Sequence, residues 1–415
     1  MNILLVSEYF PPKTCGGGEV SAYLLAKNLV KRGINVRVLT SYQKDTKRYE
    51  NKDGIKIYRL LVTGKSPNSF KENIVRLLFF YNSTYNVVKK FVKKYNIDIV
   101  HSLNQNSIIG ISRAKKSIKS KVVANINSPW VFCPKANLMK NNLFCTQKCS
   151  FLEYMNCVRS SKEIGKLNIS KFSQLNIFLH LFIYKDYIKR QKALKEIDSF
   201  VATTEFIKNL LLNQGVYPNK VSVIPDIIEG SNNIKIKKTN EVPVILYLGS
   251  LTYFKGITIL LDALRMIKLP YLCKIYGDGY LENYIVDYVQ KYNLNVTLSD
   301  LVPHNEIHQI IANADILVFP SIIPEAYGRA ILEANLVGKS VVVSSVGGSK
   351  ELVVNNKTGL LVRSSDAFDL KEKIEYLIKN PDKREEMGSF AKSVVEKTYN
   401  GDVITKKIID LYESL

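Results

Sequence analysis

No run of apolar residues in this 415-residue chain approaches the roughly 18 needed to cross a bilayer as a helix, which excludes a helical span. Acidic residues are also scarce. The chain has 37 aspartates and glutamates against 59 lysines and arginines, a formal charge of +22, so the expected partners are anionic: nucleotides, nucleic acids or acidic lipid surfaces. Cysteine is sparse and uneven. Cys133, Cys145, Cys149 and Cys157 share one short stretch, and Cys15 and Cys273 stand apart. The four could bind zinc or pair, but their gaps lack a CxxC…CxxC pattern, so the spacing does not single out a metal site. Disulfides are disfavoured in a mesophilic cytoplasm and occur in hyperthermophiles, which leaves the state of the thiols open. Short-period repeats and low-complexity tracts are absent. Met1 to Ser7 is too short, and lacks the basic start, for a secretory leader, so the expected compartment is the cytoplasm.

What the chain does have is strand–loop–helix units, with length enough for two domains. Ile3 to Ser7 reads as a buried strand, then a loop carrying Pro11-Pro12 and Gly16-Gly17-Gly18-Glu19, then a helix from Val20 to Lys31. Asp98 to His101 and Lys121 to Ala124 read as further parallel strands. His101 ends the first of these, a position that suits a structural role. In the second half, Leu246-Tyr247-Leu248 runs into Gly249-Ser250 and then Lys255-Gly256 before a helix from Ile257 to Met266. A lysine where a strand end meets a helix start can neutralise phosphate while helix amides donate to it. Cys273 to Tyr276 runs into Gly277-Asp278-Gly279, and Ser340 to Ser344 into Gly347-Gly348-Ser349-Lys350-Glu351. Glycine and acid loops after strand ends are where open parallel sheets bind ligands.

The densest stretch is Pro324-Glu325-Ala326-Tyr327-Gly328-Arg329-Ala330-Ile331-Leu332-Glu333. It follows a strand at Asp315 to Phe319, and Tyr327 to Val337 reads as a helix ended by Gly338. If most of the intervening segment is helical, Glu325 and Glu333 lie roughly 12 Å apart along the axis. That is too far for a shared proton. It suits gripping the two ends of one extended polar ligand, with Gly328 leaving amides open near a helix N-terminus.

These residues resemble the retaining glycosyltransferases of the GT-B fold, in particular glycosyltransferase family 4, over nearly the whole chain. The E-x7-E pair is Glu325 and Glu333, the Lys-Gly element is Lys255-Gly256, and the Gly-Gly-x-Glu opening is Gly16 to Glu19. The resemblance implies an α/β protein with two Rossmann-like domains facing a cleft and a C-terminal helix returning to the first domain. Glu333 would hold the ribose of a nucleotide-sugar and Lys255 its diphosphate. Glu325, with amides near Tyr327, Gly328 and Arg329, would face the donor sugar and leaving phosphate. Gly16 and Gly17 would approach the donor phosphates or the acceptor, and Ser250 and Gly277 would complete the donor site. No metal or other cofactor is implied. Two positions depart from the pattern. Asn127 stands where relatives often have histidine, and it can orient a hydroxyl but cannot take a proton. Ser250 stands where they often have arginine and brings no charge.

The expected domains are 1–228, rejoined by 396–415, and 229–395, with the polar stretch 229–240 as linker. Two segments of the first domain are basic and aromatic. Asn68 to Tyr95 joins Phe79, Phe80 and Tyr81 to Arg76, Lys89, Lys90, Lys93 and Lys94, and Ile169 to Glu196 joins Phe178 and Phe182 to Lys185, Lys189 and Lys192. Such helices lie in the headgroup layer of anionic membranes or pack a core with solvated lysine faces. The first reading makes the protein peripheral on the cytoplasmic membrane face. The whole reads as an enzyme moving a sugar from a nucleotide-sugar (UDP-, GDP- or another base) to a glycan or lipid-linked acceptor, with retention. The alternatives are a non-catalytic subunit that binds nucleotide-sugar or lipid, suggested by Asn127 and Ser250, and a GT-B nucleotide-sugar epimerase. No nucleic-acid-binding motif is present.

Overall fold

A computed structural model describes residues 1–13, 16–64, 70–141, 143–161, 163–164, 167–168, 176–230, 234 and 242–415. Thr14, Cys15, Asn68, Ile169 and most of the 229–240 linker lie outside the described residues. The chain divides into two compact units, Met1–Ile227 with Gly401–Leu415, and Ile228–Asn400.

In the first unit the strands are β1 (Asn2–Val6), β2 (Asn35–Ser41), β3 (Tyr49–Lys52), β4 (Ile55–Leu61), β5 (Ile99–Ser102) and β6 (Lys121–Ile126). Two small hairpins follow, β7 (Met139–Lys140) with β8 (Leu143–Phe144), and β9 (Glu163–Ile164) with β10 (Leu167–Asn168). Then come β11 (Ser199–Ala202) and β12 (Val221–Val223). The main sheet has the order β12-β11-β6-β5-β1-β2-β4-β3, parallel except for the β3–β4 edge. Strands buried on both faces read as unbroken apolar runs, and Ile3 to Val6 are fully buried. The helix Gly17–Lys31 lays Ala22, Leu25, Ala26 and Leu29 on the core, which is helical spacing.

The helix Gly401–Glu413 buries Ile404, Ile408 and Tyr412 in the same core, so the C-terminal helix does return to the first domain. A polar contact pins it there. His101, fully buried at the end of β5, lies 2.7 Å from Asn125 Oδ1 through Nε2 and 2.5 Å from the Tyr412 hydroxyl through Nδ1. A carboxamide oxygen only accepts, so Nε2 donates to Asn125 and the Tyr412 hydroxyl donates to Nδ1. Burial pushes this ring down to about 4, against the opposing pull of the Asn125 hydrogen bond.

The basic segment after β4 is a helix broken in pitch: Phe70–Val75, a π-helical turn Arg76–Phe80, then Tyr81–Tyr95. Its last part buries Tyr81, Thr84, Val88 and Phe91, so it is a core-packing helix with lysines on the outer face. The π turn tucks Phe80 away and leaves Leu78 and Phe79 exposed.

The second unit holds β13 (Val244–Leu248), β14 (Leu272–Tyr276), β15 (Val296–Ser299), β16 (Ile316–Phe319), β17 (Ser340–Ser344) and β18 (Leu360–Val362). Its sheet is wholly parallel with the order β15-β14-β13-β16-β17-β18. The chain builds outward from β13 to β15 and then returns to the other side of β13. That is the doubly wound arrangement, whose ligand crevice lies at the carboxyl ends where the order reverses, between β13 and β16.

Candidate active site

Two loops of the second unit meet at that reversal. The loop after β13 carries Lys255, and the loop after β16 carries Glu325. Their backbones touch: Ile322 N donates to Phe254 O at 2.9 Å. Gly256 takes φ +75°, and a Cβ there would fall 1.8 Å from the carbonyl oxygen of Pro320, so a side chain is excluded by both conformation and space. The close approach sets Lys255 Nζ 2.5 Å from Glu325 Oε1, with Ser321 Oγ donating to the same oxygen at 2.8 Å. The lysine is 26% and the glutamate 16% exposed, so the pair is reachable from solvent.

Glu325 lies outside the helix, which begins at Arg329 and ends at Leu336, two residues inside the expected start. Pro324 and Gly328 bracket the segment. Its backbone is held instead by the glycine turn after β17: Gly348 N donates to Glu325 O at 2.7 Å. The turn at Gly347-Gly348 therefore clamps the Glu325 loop.

Glu333 is 4% exposed on the helix Arg329–Leu336. Burial by itself pushes this carboxyl up, but the hydrogen bond from His304, with the charge of Arg329, outweighs it and holds the group below the usual carboxylate range. His304 Nε2 at 3.0 Å and Arg329 Nε at 2.8 Å both meet Oε1. Oε2 accepts no hydrogen bond among the described residues. An ionised carboxylate with one oxygen held and the other unengaged is equipped to accept from a pair of hydroxyls.

Tyr327 is buried in the apolar core beside Ile331. Gly277 follows β14, with φ +158°. The Ser250 carbonyl accepts from the Tyr247 hydroxyl at 2.9 Å. Gly16, Gly17 and Asn127 belong to the first unit. Gly16 precedes the helix Gly17–Lys31 and has open space where a Cβ would stand. Asn127 follows β6, its Nδ2 3.5 Å from the Cβ position of Gly18, and lines a small cavity with Ser21 and Asp226, which hydrogen-bond at 2.8 Å. Cys133, Cys145, Cys149 and Cys157 surround one small cavity as free thiols. Burial, with the neighbouring thiols, pushes Cys149 up to about 12. Among the described residues no group of three or more histidines, cysteines and acids is placed to hold a metal ion.

The family model described as Glycosyltransferase Family 4 matches residues 15–229, and that described as Glycosyl transferases group 1 matches 231–394. The chain belongs to glycosyltransferase family 4. This family 4 glycosyltransferase is 25% identical to an uncharacterized glycosyltransferase of Methanocaldococcus jannaschii over 100% of its own length and 98% of the relative's. It is also 25% identical to the capsular polysaccharide biosynthesis glycosyltransferase CapM of Staphylococcus aureus, over 86% of this chain and 97% of CapM. Its fold matches Anabaena HepE, solved in complex with UDP and glucose, with a TM-score of 0.70 at 18% identity and all of both chains covered. The two sheets are the Rossmann-like halves of the GT-B fold. Two polar groups of the glycosyltransferase escaped sequence reasoning, His304 and Ser321. A Pro-His step after β15 and a Pro-Ser step after β16 carry no periodic signal, and only the sheet order brings His304 to Glu333.

Proposed function

We propose that this glycosyltransferase takes its sugar from a nucleoside-diphosphate sugar and passes it, with retention of configuration, to a hydroxyl of a glycan or lipid-linked acceptor. The observation that carries the reading is the pairing at the strand-order reversal: a solvent-reachable Lys255–Glu325 pair and an ionised Glu333 with one oxygen unengaged. In this reading Glu333 Oε2 accepts from the two ribose hydroxyls. Lys255 turns from Glu325 to the diphosphate and stabilises its charge as the glycosidic bond breaks. Amides at the start of the helix Arg329–Leu336 add to that stabilisation. With an oxocarbenium-like transition state, the acceptor hydroxyl attacks on the face the phosphate leaves and gives its proton to the departing phosphate oxygen. Asn127 then needs only to orient. The nucleotide part of the proposal draws support from HepE, whose complex holds UDP and glucose, and the glycan acceptor from the capsular polysaccharide role in the name of CapM.

A thermal-shift panel of nucleotide-sugars tests the donor, because ligand that binds only the folded state raises its melting temperature by mass action. One nucleotide-sugar should stabilise the protein, and the anomeric configuration of the transferred sugar, read by NMR, should match the donor's. A panel with no stabilising member removes the donor assignment, and an inverted product removes retention. Binding without transfer or slow donor hydrolysis would favour the non-catalytic subunit that Asn127 and Ser250 suggest.

A further inference from the structure

A groove of about 520 Å3 opens in the first unit, bounded by the helix Gln105–Lys115, the helix Ile177–Leu194 and the π turn Arg76–Phe80. Its charge is one-sided. Arg113, Lys116, Lys185, Lys189 and Lys192 line it, against two acids that are already engaged. Asp186 is held by Arg190 and by the Tyr81 hydroxyl, each at 2.9 Å, and Glu196 by Lys116 at 3.9 Å. Lys185, Lys189 and Lys192 have no acidic partner among the described residues.

The rim is apolar. Leu77, Leu78 and Phe182 line the opening, and Phe79 and Phe178 stand close by in sequence, 54% and 81% exposed. The π turn is what exposes the first of these, since the extra residue in its pitch rotates Leu78 and Phe79 away from the core that holds Phe80. A soluble anion would need the cations and leave the apolar rim in water. A molecule with an anionic head joined to hydrocarbon satisfies both.

We propose that this groove receives the phosphate of an anionic phospholipid while the rim side chains enter the acyl boundary of the same leaflet. The inference does not depend on the proposed transfer reaction, because it is read from vesicle binding alone. Each lysine near an anionic surface strengthens partition by about fivefold, so three give about a hundredfold, and the attraction fades within a Debye length of roughly 8 Å at physiological salt.

The test is co-sedimentation of the whole protein with vesicles of phosphatidylcholine alone or mixed with phosphatidylglycerol. Wild type should pellet with the mixed vesicles at low salt and stay in solution with the neutral ones. A variant carrying Lys185→Gln, Lys189→Gln and Lys192→Gln should bind about a hundredfold more weakly with an unchanged melting temperature, since all three side chains are exposed. A second variant, Phe79→Ser with Phe178→Ser, should keep the salt-sensitive binding and lose the part that survives high salt. Wild type that ignores acidic vesicles, or a lysine variant that binds as wild type does, overturns the proposal. Inorganic phosphate should compete with the headgroup and release the protein better than chloride of equal ionic strength, and equal release by the two salts would overturn the assignment of the groove to the lipid phosphate.

Discussion

Glu333 keeps its charge inside the fold only because His304 and Arg329 compensate its burial, and that arrangement makes it the residue most exposed to test. Glu333→Ala is expected to weaken nucleotide-sugar binding by about 1.5 to 3 kcal/mol, the range for a hydrogen bond to a charged group, as read by calorimetry. Unchanged donor affinity would remove the ribose role. Lys255→Ala is expected to lower the transfer rate far more than it lowers folding stability, because its partner Glu325 remains held by Ser321 and is partly solvated. The measurement is turnover per folded molecule beside the melting temperature, and a collapsed melting temperature with activity kept would make the lysine structural. The positions of Lys255 and Glu325 in loops after strands, and of Glu333 eight residues on in the following helix, were legible from the apolar runs and the spacing. Their mutual contacts were not. The Lys255–Glu325 and His304–Glu333 bonds join positions 70 and 29 residues apart, and sequence spacing carries no information at that range.

At the scale of elements, buried parallel strands and their following helices were readable because unbroken apolar runs and helical periodicity are strong signals. The β3–β4 edge was not. Tyr49–Lys52 is mostly exposed, and such an edge is defined by pairing with β4 more than by its own composition. The start of the helix after Gly328 was read two residues early, since the tertiary hold of Gly348 on Glu325 overrides local helix preference. The same logic makes Gly256 the weakest point to alter. Gly256→Ala would force a Cβ into the Pro320 carbonyl at a positive φ, and is expected to cost about 2 to 4 kcal/mol, read as a lowered urea midpoint. A variant as stable as wild type would mean the two loops can part without loss.

For the molecule as a whole, acid should loosen the first unit through the link between β5 and the returning helix. His101 in the fold sits at about 4 against an ordinary 6.5, so between those values the unfolded chain takes up a proton that the folded one refuses. Stability should therefore fall as pH drops from about 6.5 to 4, by about 3 kcal/mol from this ring, and level off below. Denaturant titrations of wild type and His101→Gln across that window check it, and the variant should show the shallower slope. The return of Gly401–Glu413 to the first unit also sets an order in time. The core around Ile404, Ile408 and Tyr412 stays open while residues 228–400 are synthesised, roughly 9 to 35 s at ordinary elongation rates. During that interval the nascent first unit presents an unfilled apolar seat, so released chains truncated after residue 400 should show a protease-sensitive first unit beside a protected second one.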